Sequence, residues 1–289
     1  MKNIIFESRH TGDFEINSIL RNFFDIFFIP ILNNLPSSFQ KTIKKTHKSA
    51  DEVIKKATSH SALEVLYSHG KMHKSRNIFQ TFFRYVWFTR NNAKAVRNRL
   101  KIVKREITKE IKNRKDTGIT LLSIASGSAR AVVESFSNVP LITNTPVSLN
   151  FLDKSIEAIS YSRSLAKNLD GVYACRWITD TANSFPKYFP NNKPNIVEMV
   201  GLLDYFDDEK ILETFQTIYN NLEEGGVLIT ANVIDNKERP FLERVVGWNM
   251  IYSTPEDFIR IANEAGFRSE NIVVYVEPLK IHFVMVAHK

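Results

Sequence analysis

The groups best placed to do chemistry in this chain of 289 residues are carboxylates that each end a short apolar run, together with one loop of very small residues. The loop is LLSIASGSAR, residues 121–130, in which Ala125, Ser126, Gly127, Ser128 and Ala129 follow one another. Small residues between a strand and a helix let a ligand approach the backbone closely; the same composition also serves tight packing. Asp153 closes the run VSLNFLD and stands 26 residues after Gly127, with Lys154 next to it. A carboxylate at such an offset in a strand–helix–strand unit can accept both hydroxyl protons of a ribose, or it can cap the helix that opens near Ser155. Asp180, beside Thr181 in WITDTANSF, follows a third apolar run and is either a ligand contact or a turn residue. Asp204 lies in GLLDYFDD with Gly201, Leu202 and Tyr205. It either faces a ligand or serves the start of the helix at Asp207.

These positions need a scaffold, and the hydrophobic pattern supplies one. After a turn at 116–118, strand-length apolar runs occupy 119–125, 147–153, 172–178, 196–201 and 226–233. Helical spacing covers 129–136, 155–168, 207–222 and 254–265. Thr254 and Asp257 resemble a capping box for the last of these. Alternating strands and helices argue for a parallel sheet covered on both faces, with ligands beyond the carboxyl ends of the strands. Two final strands, 271–276 and 281–287, are joined by residues 277–280 alone. That link permits only antiparallel pairing, since a parallel crossover takes about a dozen residues. The expected fold over 116–289 is therefore α/β, with five parallel strands and an antiparallel C-terminal hairpin.

Residues 1–115 read differently. Helical spacing at 18–32, 49–67, 77–88 and 92–112, with no strand-like alternation, predicts an all-helical cap. Residues 1–116 hold 24 Lys and Arg against 10 Asp and Glu, a net of +14, whereas 117–289 hold 15 against 21, a net of −6. A basic segment of this kind suits an acidic substrate, an anionic membrane surface or nucleic acid, or is a solvated helix face. The composition, 43% hydrophobic and 24% charged, excludes disordered and fibrous classes. The single Cys175 excludes an internal disulfide and suits a reducing, cytoplasmic location. The most apolar stretch, 23–32, is interrupted by Asp25 and Pro30 and falls short of the roughly 20 residues that span a bilayer. No signal peptide and no metal-ligand pattern is read.

The five parallel strands, the closing antiparallel hairpin and the 125–129 loop together resemble the class I S-adenosylmethionine-dependent methyltransferases, with their Rossmann-like sheet. The loop is similar to that family's G-x-G-x-G motif, with Gly127 kept, Ala125 and Ala129 at the other two positions, and Ser123 where an acidic residue usually stands. From about residue 77 onward the chain is similar to a bacterial branch that includes enzymes forming 3-hydroxy fatty acid methyl esters. The segments that carry this are SIASGSAR, FLDKSIEAISYS, GLLDYFDDEKILETFQTIYNNLEEGGVLITAN and VVGWNMIYSTPEDFIRIANEAGF. AVRNRL, residues 95–100, is similar to the helix before the first strand in related methyltransferases.

The resemblance implies S-adenosyl-L-methionine as cofactor, held by Ser123, Ala125, Ser126, Gly127, Ala129, Asp153, Lys154, Asp180, Thr181, Gly201 and Leu202. Asp180 would accept from the adenine amino group. Asp204 and Tyr205 would be the catalytic positions. Asn232, Trp248 and Tyr252 would form the acceptor wall, although the two aromatics would equally suit a core. Arg97 and Arg99 would pair with a carboxylate of cofactor or acceptor, or remain solvated.

The leading expectation is a methyltransferase acting on an oxygen, carboxylate or hydroxyl, of a small acidic or lipid-like acceptor. In it the aromatic helices, Phe23 to Phe28 and Phe79 to Phe88, line an apolar chamber. An RNA methyltransferase is an alternative, but no Asn/Asp-Pro-Pro-Tyr element follows the fourth strand and no RNA-binding module is recognisable. A catalytically inactive cofactor-binding protein is another, as is peripheral membrane contact through 17–32. A nicotinamide dehydrogenase is disfavoured because Gly-x-Gly-x-x-Gly is missing.

Overall fold

The computed structural model describes residues 3–8, 13–38, 51, 54, 60–68, 81, 85, 88–142 and 144–289. Eight strands form one sheet: β1 (Ile4–Phe6), β2 (Ile119–Ile124), β3 (Val147–Asp153), β4 (Ala174–Thr179), β5 (Ile196–Val200), β6 (Val227–Val233), β7 (Ile272–Val276) and β8 (His282–His288). Their order is β1-β7-β8-β6-β5-β2-β3-β4. Strands β2 to β6 pair in parallel, and β8 alone runs antiparallel, between β6 and β7. Parallel strands sandwiched between helices are buried on both faces, which is why β6 is buried at every position. The chain reverses its direction of sheet growth between β2 and β5, and this opens a crevice at their carboxyl ends.

Among the described residues the helices of a full turn or more include α1 (Ile19–Asn33), α2 (His60–Tyr67), α3 (Asn91–Arg114), α4 (Arg130–Ser137), α5 (Ile156–Leu165), α6 (Asp208–Asn221) and α7 (Pro255–Glu264). Ser18 caps α1 by accepting from the Arg21 N–H, and Thr254 with Asp257 completes a reciprocal capping box on α7. One core holds Leu122, Phe215, Phe258 and Phe283; a second holds Ile107, Val132, Phe151 and Ile229.

Three expectations are corrected. The front segment is not all helical, because β1 adds a parallel edge strand on β7, with Ile4 opposite Val274. Three residues carry no readable period. The division at 115/116 marks a change of sequence character and not of packing, since Ile102, Val103, Ile107 and Ile111 of α3 belong to the core of the sheet. The aromatic face of α1 does not line a chamber: Phe23, Phe24 and Phe27 are 63%, 52% and 62% exposed. The face turned inward carries Asp25 and Ile29, with Asp25 paired to Arg21 and Arg90. Most of the expected 77–88 helix, with Phe79, Phe82 and Phe83, lies outside the described residues, as do 49, 50, 52, 53 and 55–59 of the expected 49–67 helix. Among the described residues no helix is long and apolar enough to cross a membrane.

Candidate active site

A cleft of about 850 Å3 opens at the carboxyl ends of β2, β3 and β5. The loop after β2 forms its floor. Ala125, Gly127 and Ala129 all have left-handed backbones, with φ of 51°, 54° and 56°. The two alanines thus adopt the conformation that the motif's other glycines would favour. Asp153 ends β3 and braces this loop: its carboxylate accepts from the Gly127 N–H at 2.9 Å and from the Ser155 N–H at 2.9 Å. The cap of α5 is Ser155, which accepts from Ala158 N–H, so Asp153 is not the helix cap and faces the cleft. Lys154, Thr181, Gly201 and Leu202 line the same space. At its far end Asp180 accepts from Lys187 at 2.5 Å and from the Tyr188 hydroxyl at 2.8 Å. Lys187 first, then Tyr188, hold its carboxyl well below the usual range. The hydroxyl of Ser126, in the cleft wall, is buried without a partner.

Ser123 is placed differently from expectation. It is fully buried, lines neither cavity described here, and donates to the Glu198 carboxylate at 2.5 Å. The two are register partners on β2 and β5. Glu198 does line the cleft. Burial pushes its carboxyl up to about 7, against the opposing effects of Ser123 and Arg99. Its signal in the sequence was a lone carboxylate inside the apolar strand IVEMV.

A second, smaller cavity of about 80 Å3 adjoins the first, and Leu63, Gly201 and Tyr205 line both. Its walls are mainly apolar, with Val96, Phe241, Leu242, Val246, Trp248 and Met250 among them. The Trp248 indole N–H donates to the Tyr205 hydroxyl at 2.8 Å. The wall at 239–246, a helical turn continuing into a π turn, was not read from the sequence. Arg99 reaches in from α3 and donates to Asp204 at 3.4 Å, and both are buried. Asp207 caps α6 by accepting from the Lys210 N–H, which leaves Asp204 to the cavity.

Five buried polar atoms on residues of this cavity have no hydrogen-bond partner: Arg90 Nε and Nη1, Arg99 Nε, Asp204 Oδ1 and His282 Nδ1. Burial, reinforced by Arg99, holds His282 well below the usual histidine range, so its imidazole is neutral. Its ring also bonds the Asn232 backbone. Burial raises the Asp204 carboxyl and Arg99 works against that rise. His282 heads β8, a continuous apolar run, FVMVA, whose pattern gives no hint of which flanking polar residue opens into a cavity.

Three expected acceptor residues lie elsewhere. Arg97 is held by Glu15 at 2.6 and 2.7 Å and by the Leu66 and Phe88 carbonyls, and lines neither cavity. Asn232 is fully buried and lines neither; its side chain accepts from the Val233 N–H at 2.6 Å. Tyr252 lies under Arg239, 4.4 Å from guanidinium to ring centre, and lines neither. Helical periodicity shows which residues share a face, not which face meets a cavity.

The parallel strands closed by the inserted antiparallel β8, with the cleft at the β2–β5 reversal, define the class I methyltransferase fold. No protein-family model matches the chain, and no curated protein matches it in sequence. Solved structures do share the fold. A possible exported protein from Bordetella parapertussis aligns at 17% identity and a TM-score of 0.65, over 80% of this chain and 79% of that one. The carbon methyltransferase of CurJ aligns at 14% and 0.56, over 83% of this chain and 66% of the other. Magnesium protoporphyrin IX methyltransferase from Synechocystis, solved with S-adenosylhomocysteine bound, aligns at 11% and 0.50, over 77% and 94%.

Proposed function

We propose that this chain is an S-adenosylmethionine-dependent methyltransferase that methylates a hydroxyl oxygen on a small, lipid-like acceptor. The observation that carries this is the junction of a large polar-floored cleft with a small apolar cavity at Gly201 and Tyr205.

The residues of the cleft fit an adenosyl cofactor. The Asp153 carboxylate makes two hydrogen bonds to backbone N–H groups, which leaves lone pairs for ribose hydroxyls. The unpartnered Ser126 hydroxyl supplies a further polar contact. A Cβ at Gly127 would come within 3.3 Å of the His60 Cβ, so the loop passes α2 at a distance that favours glycine. Ala125, Ala129 and Lys154 would border the sugar and amino-acid portion, Asp180 and Thr181 the adenine, and the Gly201–Leu202 backbone the junction. When bound, the cofactor supplies a methyl group already activated on a sulfonium sulfur. The protein's task is to orient the acceptor, exclude water and take up the hydroxyl proton, for which Asp204 Oδ1 and neutral His282 Nδ1 are the free acceptors in the small cavity.

The polar atoms of the small cavity favour a hydroxyl. Arg99 Nε and Arg90 Nε and Nη1 are donors without a hydrogen-bond partner, while Asp204 Oδ1 and neutral His282 Nδ1 are free acceptors. A hydroxyl both donates and accepts, so it can engage an arginine donor and one of the two acceptors at once. A carboxylate would bring a second negative charge beside Asp204. Tyr205 and Trp248 would hold the acceptor's position, and the apolar walls suit an alkyl or ring portion. A reducing, cytoplasmic compartment suits a chain whose single cysteine, Cys175, can form no internal disulfide.

Methyl transfer assayed with matched hydroxylated and non-hydroxylated fatty acids tests this proposal. Transfer confined to the hydroxylated series, and onto its hydroxyl, supports it. Equal transfer to both series would assign the reaction to the carboxylate instead.

A further inference from the structure

We propose that Glu198 holds the α-ammonium group at the methionine end of the cofactor, supplying from β5 the carboxylate that position 123 lacks. This rests on the methyltransferase assignment above. Ser123 and Glu198 face each other in register, and the serine hydroxyl anchors one oxygen of the carboxylate. Glu198 is among the lining residues of the large cleft, whereas Ser123 is not. The carboxylate therefore enters the ligand space from the neighbouring strand, one strand over from the usual place.

A buried carboxylate is unfavourable unless donors or a cation compensate it. Here the compensation is incomplete. Strand β2 presents Ser123, and β6 presents the apolar Ile229 in register. From the helices, Arg99 of α3 and Tyr67 of α2 are the titratable groups that interact with Glu198. Arg99 is already engaged by Asp204 and by the Tyr67 hydroxyl. An incoming ammonium completes the balance, and the carboxylate is consequently protonated in part when the cleft is empty, its carboxyl sitting at about 7 because of burial. Cation binding selects the ionised form and releases a proton near neutrality.

The test is calorimetric titration of the full chain with S-adenosylmethionine, S-adenosylhomocysteine and 5′-methylthioadenosine, the last lacking the amino-acid end. Glu198→Gln is expected to weaken the first two by roughly tenfold to a hundredfold, the range of a lost charge-assisted hydrogen bond, and to leave methylthioadenosine unchanged. Wild-type affinity for S-adenosylmethionine should rise between about pH 5.5 and 7, where the ligand amine stays protonated, and the Glu198→Gln profile should be flat by comparison. Equal weakening of all three ligands by Glu198→Gln, or no weakening, overturns the proposal while leaving the cofactor assignment in place. Failure of the wild type to bind any of the three overturns both.

Discussion

The Trp248 indole N–H donates to the hydroxyl of Tyr205 at 2.8 Å, joining the wall after β6 to the turn after β5 across 43 residues of sequence. Trp248 is buried and Tyr205 is half-buried, so the bond is shielded from water. Tyr205→Phe strands the indole N–H and is expected to cost about 1 to 2 kcal/mol. Trp248→Phe removes the same bond from the other side. Denaturant unfolding of the two single variants and the double variant should show coupling of about 1 kcal/mol. Strictly additive losses would contradict the bond.

Ala125 carries a left-handed backbone that an L side chain enters at a cost of roughly 1 to 2 kcal/mol. Ala125→Gly removes that cost and gives part of it back as unfolded-chain entropy. The expected outcome is a net gain of about 1 kcal/mol, or roughly 2 °C in Tm. Ala129→Gly should gain less, because the Ala129 methyl group is buried in the core. Gly127→Ala should move in the opposite direction, since the added Cβ meets His60 at 3.3 Å on a φ of +54°. Thermal melts of the three variants check the ordering.

Glu198 gives stability a defined pH dependence in the absence of ligand. Its carboxyl sits at about 7 in the folded protein, above the 4.5 of a free glutamate, because of burial. Between these values the folded state binds more protons than the unfolded one, so its contribution falls as pH rises. The loss begins near the unfolded value and is complete above the folded one, on the order of 3 kcal/mol. Glu198→Gln should therefore gain on the wild type in unfolding experiments as pH goes from about 5 to about 8. Parallel stability curves for the two would contradict a carboxyl raised this far.

Strands β2, β3, β5, β6 and β8 were legible in the sequence because strands buried on both faces are continuous apolar runs, whereas the three-residue β1 was not. Thr254 marked a helix start for a local reason, a side-chain oxygen over free N–H groups. What depended on long-range placement was not legible. Ser123 and Glu198 are 75 residues apart, and only the β2–β5 register makes them partners. Arg97 and Arg99 sit two positions apart on α3 and point different ways, one to Glu15 and one into the small cavity. The outward aromatics of α1 show the same limit, since periodicity gives a stripe without its direction.

Glu64 on α2 accepts from Arg130 Nε at 2.9 Å and Nη2 at 2.5 Å, and from the Tyr161 hydroxyl at 3.0 Å. This pair seats α2 beside the loop of Gly127. Arg130 is partly solvated, so Glu64→Gln should cost only about 1 to 2 kcal/mol. Hydrogen exchange should accelerate chiefly at 60–68. Unchanged exchange there would contradict the pair's role in holding α2.

Calorimetric titration with S-adenosylmethionine, on the wild type and on Asp153→Ala, reads whether the cleft around Asp153 holds the cofactor. Saturable binding to the wild type, lost in the variant without loss of fold, is the predicted result. Absence of binding to the wild type, or full affinity retained by Asp153→Ala, would contradict the account.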